Sequence, residues 1–457
     1  MLRVHRATRA DRLAAALASV LAEPLGDPLA PEVVAVPTRG VERWLAQRLS
    51  GALGTSAGAG ATDGVCANVV FPFPGRLVGD AVALATGVER DTDPWLPERA
   101  AWPLLDAVEE ALDEPWLAPL AAHLGRTGPD PDEHRRSRRL STVRHLADLF
   151  DRYGVHRPDM VRAWAQGGDD DGWGRLPAAD SVWQPELWRR LRRHVGTPSP
   201  AERLEVACDA IRNEPGLLGG RFPPRLSLFG LTRLPASYLD ILRAVAAARD
   251  VHLFLLHPSP ALWERIEALQ TGPPGARRLE RRAVDATATE PRNPLLASWG
   301  RDAREMQLVL TAGHDVQAEE HHPVHAEPRT LLERIQEDVR ADRAPAHDQL
   351  TGGDDSRAVL EPDDRSVQVH ACHGRARQVE IVRDAILHLL ADDPTLEPRD
   401  VIVMCPDIES FAPLIHATFA MGGHAGAGID EGEEVPDRKS TRLNSSHIQK
   451  SRMPSSA

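Results

Sequence analysis

Short apolar runs that break at a turn and resume with a helical period recur three times along the chain. The first is Val33–Val36, then the loop Pro37-Thr38-Arg39-Gly40, then a helix placing Val41, Trp44, Leu45 and Leu49 on one face. The second is Leu226–Phe229, the loop Gly230–Pro235, a helix from Ala236 to about Ala248 and the strand Val251–Leu256. The third is Val367–His370, the loop Ala371–Arg375, a helix with Val379, Val382, Ile386 and Leu389 in register, and the strand Val401–Met404. This strand–loop–helix rhythm predicts an α/β fold on a parallel sheet.

Between the first two units, residues 98–215 read as helical and rich in arginine and tryptophan. The polar segment from His314 to Arg365 shows little apolar periodicity and reads as a connection, with a domain boundary near residue 360. Leu13–Ala22 follows several arginines, as an export signal would. Asp11 inside the basic region and Glu23 directly after it predict an amphipathic helix on a core instead.

Composition narrows the picture. Of 457 residues 42% are hydrophobic, too many for a disordered chain, and no apolar run approaches the ~18 needed to span a bilayer. The length leaves room for two or three domains. Cys66, Cys208, Cys372 and Cys405 lie far apart without a C-x-x-C, which predicts neither a zinc framework nor disulfides, and a cytoplasmic setting.

The net charge is −13, and the cations are arginines except for Lys439 and Lys450. A phosphate-loop ATPase, a pyridoxal enzyme and a Ser-x-x-Lys hydrolase each need a lysine, so residues 1–437 house none of them. Arg438–Ala457 holds both lysines, six serines and no acidic residue. It is expected to be a non-native tail resembling a vector- or adapter-derived peptide, with the natural protein continuing beyond Asp437; a basic nucleic-acid-binding arm is the alternative. Its Lys439-Ser440-Thr441 triplet mimics a phosphate loop, but Glu433 and Arg438 stand where glycines belong.

Four constellations invite chemistry. The loop Pro37–Gly40 precedes a helix N-terminus, which attracts phosphate, so it reads either as a nucleic-acid contact or as a structural turn. Arg135, Arg136, Arg138, Arg139 and Arg144, with Arg189, Arg190, Arg192 and Arg193, accompany Trp164, Trp173, Trp183 and Trp188. They read either as a track for single-stranded nucleic acid, rings stacking on bases, or as a solvated face over core tryptophans. His321, His322 and His325 beside Glu319 and Glu320 read as a solvated loop, since Pro323 interrupts any helix. His370, Cys372 and His373 read as packing at a strand end, with no base or oxyanion site to make a nucleophile. No catalytic residue emerges.

A resemblance is more specific. It runs through Met1-Leu2-Arg3-Val4-His5, Val36-Pro37-Thr38-Arg39-Gly40-Val41-Glu42-Arg43-Trp44-Leu45 and Phe71-Pro72-Phe73-Pro74. It continues through Leu149–Tyr153 with Arg157-Pro158-Asp159, Trp183-Gln184 with Leu187-Trp188-Arg189, Phe229-Gly230 and Leu234-Pro235. Asn293–Gly300, His370–His373, Asp393–Leu396 and Pro398–Met404 complete nine colinear blocks over residues 1–437. Together they resemble the opening of the gamma subunits of exodeoxyribonuclease V, the RecC family.

The resemblance implies a superfamily 1 helicase-like domain without ATP-binding motifs (1–360), carrying the helical insertion, and the start of a second (361–437). It implies a non-catalytic subunit that guides DNA and scans for Chi beside RecB-like and RecD-like partners. It would bind single strands and duplex ends, in the cytoplasm and at no membrane. No metal or cofactor is expected on this chain, ATP and magnesium serving the partners. By the same likeness Thr38, Arg39, Arg43, Phe73 and Arg189 would contact DNA. Family members carry small polar or amide side chains near Pro37, Arg39 and Arg43, and an aromatic near Gly79; proline, arginine and glycine make different base contacts. A protein-interaction scaffold that does not read DNA is the rival, and a stand-alone helicase or nuclease the third.

Overall fold

The computed structural model describes residues 1–27, 29–54, 64–125, 138–178, 180–270, 282–312, 316–324, 327–345, 359 and 361–420. Arg438–Ala457, with its Lys439-Ser440-Thr441 triplet, lies outside them, as do Arg135, Arg136 and His325. The chain divides into two compact units, Met1–Asp364 and Arg365–Ala457.

The first unit runs β1 (Leu2–Ala7), α1 (Ala10–Leu21), β2 (Glu32–Ala35), α2 (Arg39–Ser50), β3 (Val69–Val70), α3 (Pro74–Thr86), α4 (Pro97–Ala111) and α5 (Ala118–His123). It goes on with α6 (Arg139–His156), α7 (Pro158–Ala165), α8 (Gln184–Val195), α9 (Pro200–Asn213), β4 (Arg225–Leu231), α10 (Ala236–Ala246) and β5 (Asp250–Leu256). Then come α11 (Pro260–Leu269), α12 (Pro294–Trp299), α13 (Arg301–Thr311), β6 (Val316–His322) and α14 (Leu331–Arg340).

The strands form one parallel sheet in the order β3-β2-β4-β5-β1-β6. Period-2 alternation sends side chains to opposite faces. On β4 and β5, Leu226, Leu228, Val251, Leu253 and Leu255 face a core shared with α3, α9, α10 and α13. On the other face Val34, Val36, Phe229 and Phe254 meet Leu13 and Leu17 of α1 and Leu45 and Leu49 of α2. Both faces are covered, as a parallel sheet requires.

The stretch between β3 and β4 supplies a separate helical core. Leu104 and Val108 of α4, Phe150 of α6, Trp164 of α7 and Leu187, Trp188 and Leu191 of α8 are buried together. Rings set its geometry: Trp164 stands edge-on to Phe150 and Tyr153, at 85° to each, and Trp188 stacks near Trp95.

Three expectations are corrected. Val33–Val36 is not the first strand: β1 precedes it, between β5 and β6, and its Arg3, His5 and Arg6 hide it from an apolar scan. The segment from His314 to Arg365 is not merely a connection, since it contributes β6 and α14, the latter started by a Thr330–Glu333 capping box. Asp342, 1% exposed, fixes the end of α14 by accepting from the backbone N–H groups of Arg292 and Asn293 and pairing with Arg265.

The third correction concerns the second unit, which contains α15 (Gly374–Asp392) and α16 (Ile408–Ala420). Val367–His370 and Val401–Met404 form no strand and pair with no ladder partner among the described residues. Val369, Ile402 and Met404 remain exposed. Of the four apolar positions expected on α15, only Val379 is buried. A strand takes its stability from neighbours on both edges and a covered face, and these two segments have neither. His370 and Cys372 line a shallow cleft with Val382 and Ile386 of α15 and Val401–Met404 instead of ending a strand.

Candidate nucleic-acid interface

A parallel sheet gathers the C-terminal ends of its strands at one edge, and ligands of open α/β sheets bind in the crevice there. At this edge β2 and β3 each run straight into a helix. The backbone N–H of Val36 donates to the carbonyl of Pro72 at 3.0 Å, so the two segments stay side by side beyond the last pair, Val33 with Val70. Pro37 and Phe73 follow directly, and the N-termini of α2 and α3 open beside each other.

Thr38 is the N-cap of α2, its Oγ1 accepting from the N–H of Val41 at 3.2 Å. Arg39 is the first helical residue and Arg43 lies one turn on. Both are exposed, and neither makes an ion pair among the described residues. Like charges at i and i+4 repel, and the helix dipole adds positive potential at the same end. The pair is therefore a ready anion site. Phe73, the N-cap of α3 with Pro74 behind it, leaves half its surface in solvent, an aromatic face within the same crevice.

The β4–α10 loop joins this edge, because β4 pairs with β2 in parallel register. Gly230 sits at a bulge with φ +71°, and a Cβ there would meet Val41 Cγ1 at 3.7 Å. Thr232 and Arg233, both exposed, follow in this loop, and the Arg233 charge lies near His156 of α6. Sequence reading missed Arg233; the signal was a cation in the loop after a strand of the same parallel sheet. Thr38, Arg39 and Arg43 thus lie at the start of one helix, and Phe73 at the start of the helix that follows the neighbouring strand.

Arg189 is placed elsewhere. It lies on α8, and its guanidinium donates to Glu186 Oε2 (3.1 Å), Asp169 Oδ1 (2.9 Å) and the carbonyl of Gly168 (2.9 Å). Arg190 pairs with Glu186 and lies over the Trp116 ring, and Arg192 is held by Glu202. Trp164, Trp183 and Trp188 are buried, while Trp173 is half exposed. On α8 the arginine–tryptophan pattern is therefore a carboxylate-neutralised helix over core tryptophans. Arg144 remains an exposed cation, and Arg139 pairs with Glu109.

The histidines regroup as well. Glu319–His322 is not a loop but the edge strand β6, which sets Glu320 and His322 beside His5 of β1. At the start of the second unit, His370 and His373 are exposed, and Cys372 Sγ lies 3.6 Å from the carbonyl of His370. Among the described residues no base is hydrogen-bonded to that thiol.

The connection from β1 to α1 is short. It consists of Thr8 and Arg9 alone, with Arg9 clamped bidentately by Asp11 at 2.9 Å. Among the described residues no helix is long and apolar enough to cross a membrane.

Comparison with known proteins agrees with this architecture. The RecC N-terminal domain family matches residues 2–342. The RecBCD enzyme subunit RecC of Mycobacterium tuberculosis (strain ATCC 25618 / H37Rv) is 44% identical over 93% of this chain and 36% of its own length. That of Mycolicibacterium smegmatis is 43% identical over 92% of this chain and 34% of its own. That of Escherichia coli (strain K12) is 29% identical over 92% and 38%. The chain spans little more than a third of the length of these relatives. With a six-stranded parallel sheet and a family match over its first 342 residues, the chain belongs to the RecC family.

Proposed function

We propose that this chain is the DNA-guiding part of a non-catalytic subunit in a RecBCD-type helicase–nuclease that processes duplex ends for recombinational repair. Its first unit is read as a superfamily 1 helicase-like domain that has lost ATP binding, and its second as the start of another. RecB-like and RecD-like chains are the partners, and they supply ATP hydrolysis with magnesium. A single strand would pass the C-terminal edge of β3-β2-β4 and be scanned there for Chi.

The observation that carries this reading is the exposed Arg39 and Arg43 at the N-terminus of α2, which make no ion pair among the described residues, with half-exposed Phe73 at the start of α3. Guanidiniums supply bidentate donors to guanine or to phosphate, and an aromatic face stacks on an unpaired base. The two-residue β1–α1 connection, lacking glycine and lysine, supports the loss of ATP binding. A purely scaffolding role is favoured for α8, whose arginines are already engaged by carboxylates.

The test is to build Arg39→Ala and Arg43→Ala into the whole subunit, reconstitute it with its two partners and map where degradation pauses on DNA of varied sequence. The pause pattern should change while unwinding of other DNA continues. A uniform fall in affinity with the same pattern would reduce both arginines to backbone contacts. No change in either would remove this edge from the path of the strand.

A further inference from the structure

Three strands meet at a polar spot on the face of the sheet that otherwise packs against α1 and α2. His5 of β1 stands opposite Glu320 of β6 in the register, and His322 follows two residues on, so both β6 side chains project to the His5 side. His5 Nδ1 lies 3.3 Å from His322 Nε2 and 3.4 Å from Glu320 Oε2, and the latter two are 3.9 Å apart. On its other side His5 Nε2 is 3.1 Å from Nδ1 of buried His252.

The Nδ1 side of His5 carries two polar neighbours for a single proton or lone pair. A neutral His5 carries one proton. Placed on Nε2, that proton donates to His252, and Nδ1 accepts from His322 Nε2–H at 3.3 Å, while the Glu320 carboxylate oxygen lies 3.4 Å from Nδ1 with no proton between them. Placed on Nδ1, it serves Glu320 or His322 but leaves Nε2 to depend on His252 as donor. A cation between Nδ1, Nε2 and Oε2 satisfies all three lone pairs and fixes His5 in the Nε2–H form, with His252 as its outer hydrogen-bond partner.

The distances fit. A point equidistant from the three donor atoms lies about 2.1 Å from each, the length of a zinc–imidazole or zinc–carboxylate bond, ~2.0–2.2 Å. We propose that His5, His322 and Glu320 form a binding site for a first-row divalent metal of the Zn²⁺ class, with water completing the coordination. Two imidazoles and one carboxylate suit Zn²⁺ over the all-oxygen preferences of Mg²⁺ and Ca²⁺. His5 is 3% exposed and rigid, stacked 4.4 Å over Phe254, while the Glu320 carboxylate reaches solvent and leaves an open side for the water. The metal would clamp edge strand β6 to its neighbour β1.

The experiment uses the untagged full chain, stripped with chelator and titrated with Zn²⁺ alone, and with Co²⁺ as a spectroscopic probe. One equivalent should bind to this site, the melting temperature should rise with Zn²⁺, and Co²⁺ should give the visible absorption of a low-coordinate nitrogen/oxygen site. His5→Ala risks the core, so His322→Ala and Glu320→Gln are the informative changes. Each should weaken that equivalent at least tenfold and abolish the Zn²⁺-dependent rise. His321→Ala, on the opposite face of β6, should leave both intact. Zn²⁺ binding that is absent in the wild type, or equal in wild type, His322→Ala and Glu320→Gln, would overturn the proposal. Equal binding would place the metal elsewhere, on Cys372 or Cys405 for example.

Discussion

Val36 and Pro72 are joined by one backbone hydrogen bond of 3.0 Å just beyond the last β2–β3 pair. That bond holds the α2 and α3 N-termini together, and so sets Arg39 and Phe73 at one crevice. Pro37 and Pro74 stiffen the two exits, since proline fixes φ and supplies no competing N–H.

Thr38 caps the helix that carries both arginines. Thr38→Ala should therefore lower stability by ~1 kcal/mol, the usual cost of a lost N-cap. Urea unfolding measures it, and Thr38→Ser should recover most of the loss.

Gly230 holds a left-handed conformation at the bulge that lets β4 approach α2. Gly230→Ala should cost ~1–2 kcal/mol from backbone strain. Its Cβ contact with Val41 is an ordinary 3.7 Å, so the fold should survive and the circular dichroism spectrum should be unchanged.

Trp188 is 1% exposed at the centre of the helical core. Trp188→Ala should destabilise the protein by ~3–5 kcal/mol, as large core truncations do. Arg189→Ala, next to it, should lower the melting temperature while leaving the salt dependence of DNA binding unchanged, because its guanidinium is bound to Glu186, Asp169 and Gly168.

Burial holds the His257 imidazole down at about 3, with the Arg6 charge adding to the effect, and burial lowers His252 to about 4. Unfolded histidine titrates near ~6.5. Between these values the unfolded chain binds more protons, so stability rises with pH there. It should be complete above about pH 6.5 and drain away as pH falls toward 4. Chelator-treated protein unfolded in urea at pH 7.5 and 4.5 should show the loss, and His257→Gln should flatten the slope by up to one proton.

The sequence made the second strand–loop–helix–strand unit legible almost to the residue, because β4 and β5 are largely apolar on both faces and Gly230 and Pro235 mark the turn between β4 and α10. It hid β1, where Arg3, His5 and Arg6 interrupt the apolar signal although Leu2, Val4 and Ala7 are buried. It hid β6 for a related reason: an edge strand needs little apolar content, and Glu319 is neutralised by Arg6 at 2.6 Å. Thr38, Arg39 and Arg43 could be picked from one loop and helix, and Phe73 from the family likeness. Arg233 could not, since only the β2–β4 pairing puts its loop at the same edge of the sheet. Glu186 could be read as an i,i+3 and i,i+4 partner of Arg189 and Arg190, but Asp169 and Glu114 could not, because they reach them only through the tertiary fold.

The most direct test of the proposed strand-guiding edge is the affinity of the chain for a fluorescent single-stranded oligonucleotide, measured by anisotropy across a salt series. Wild type should show affinity that falls steeply as salt rises. In Arg39→Ala/Arg43→Ala the slope of log affinity against log salt should become shallower by about 0.7 for each phosphate that is no longer neutralised, with weaker binding at every salt. Identical affinity and slope in wild type and the double variant would contradict the account.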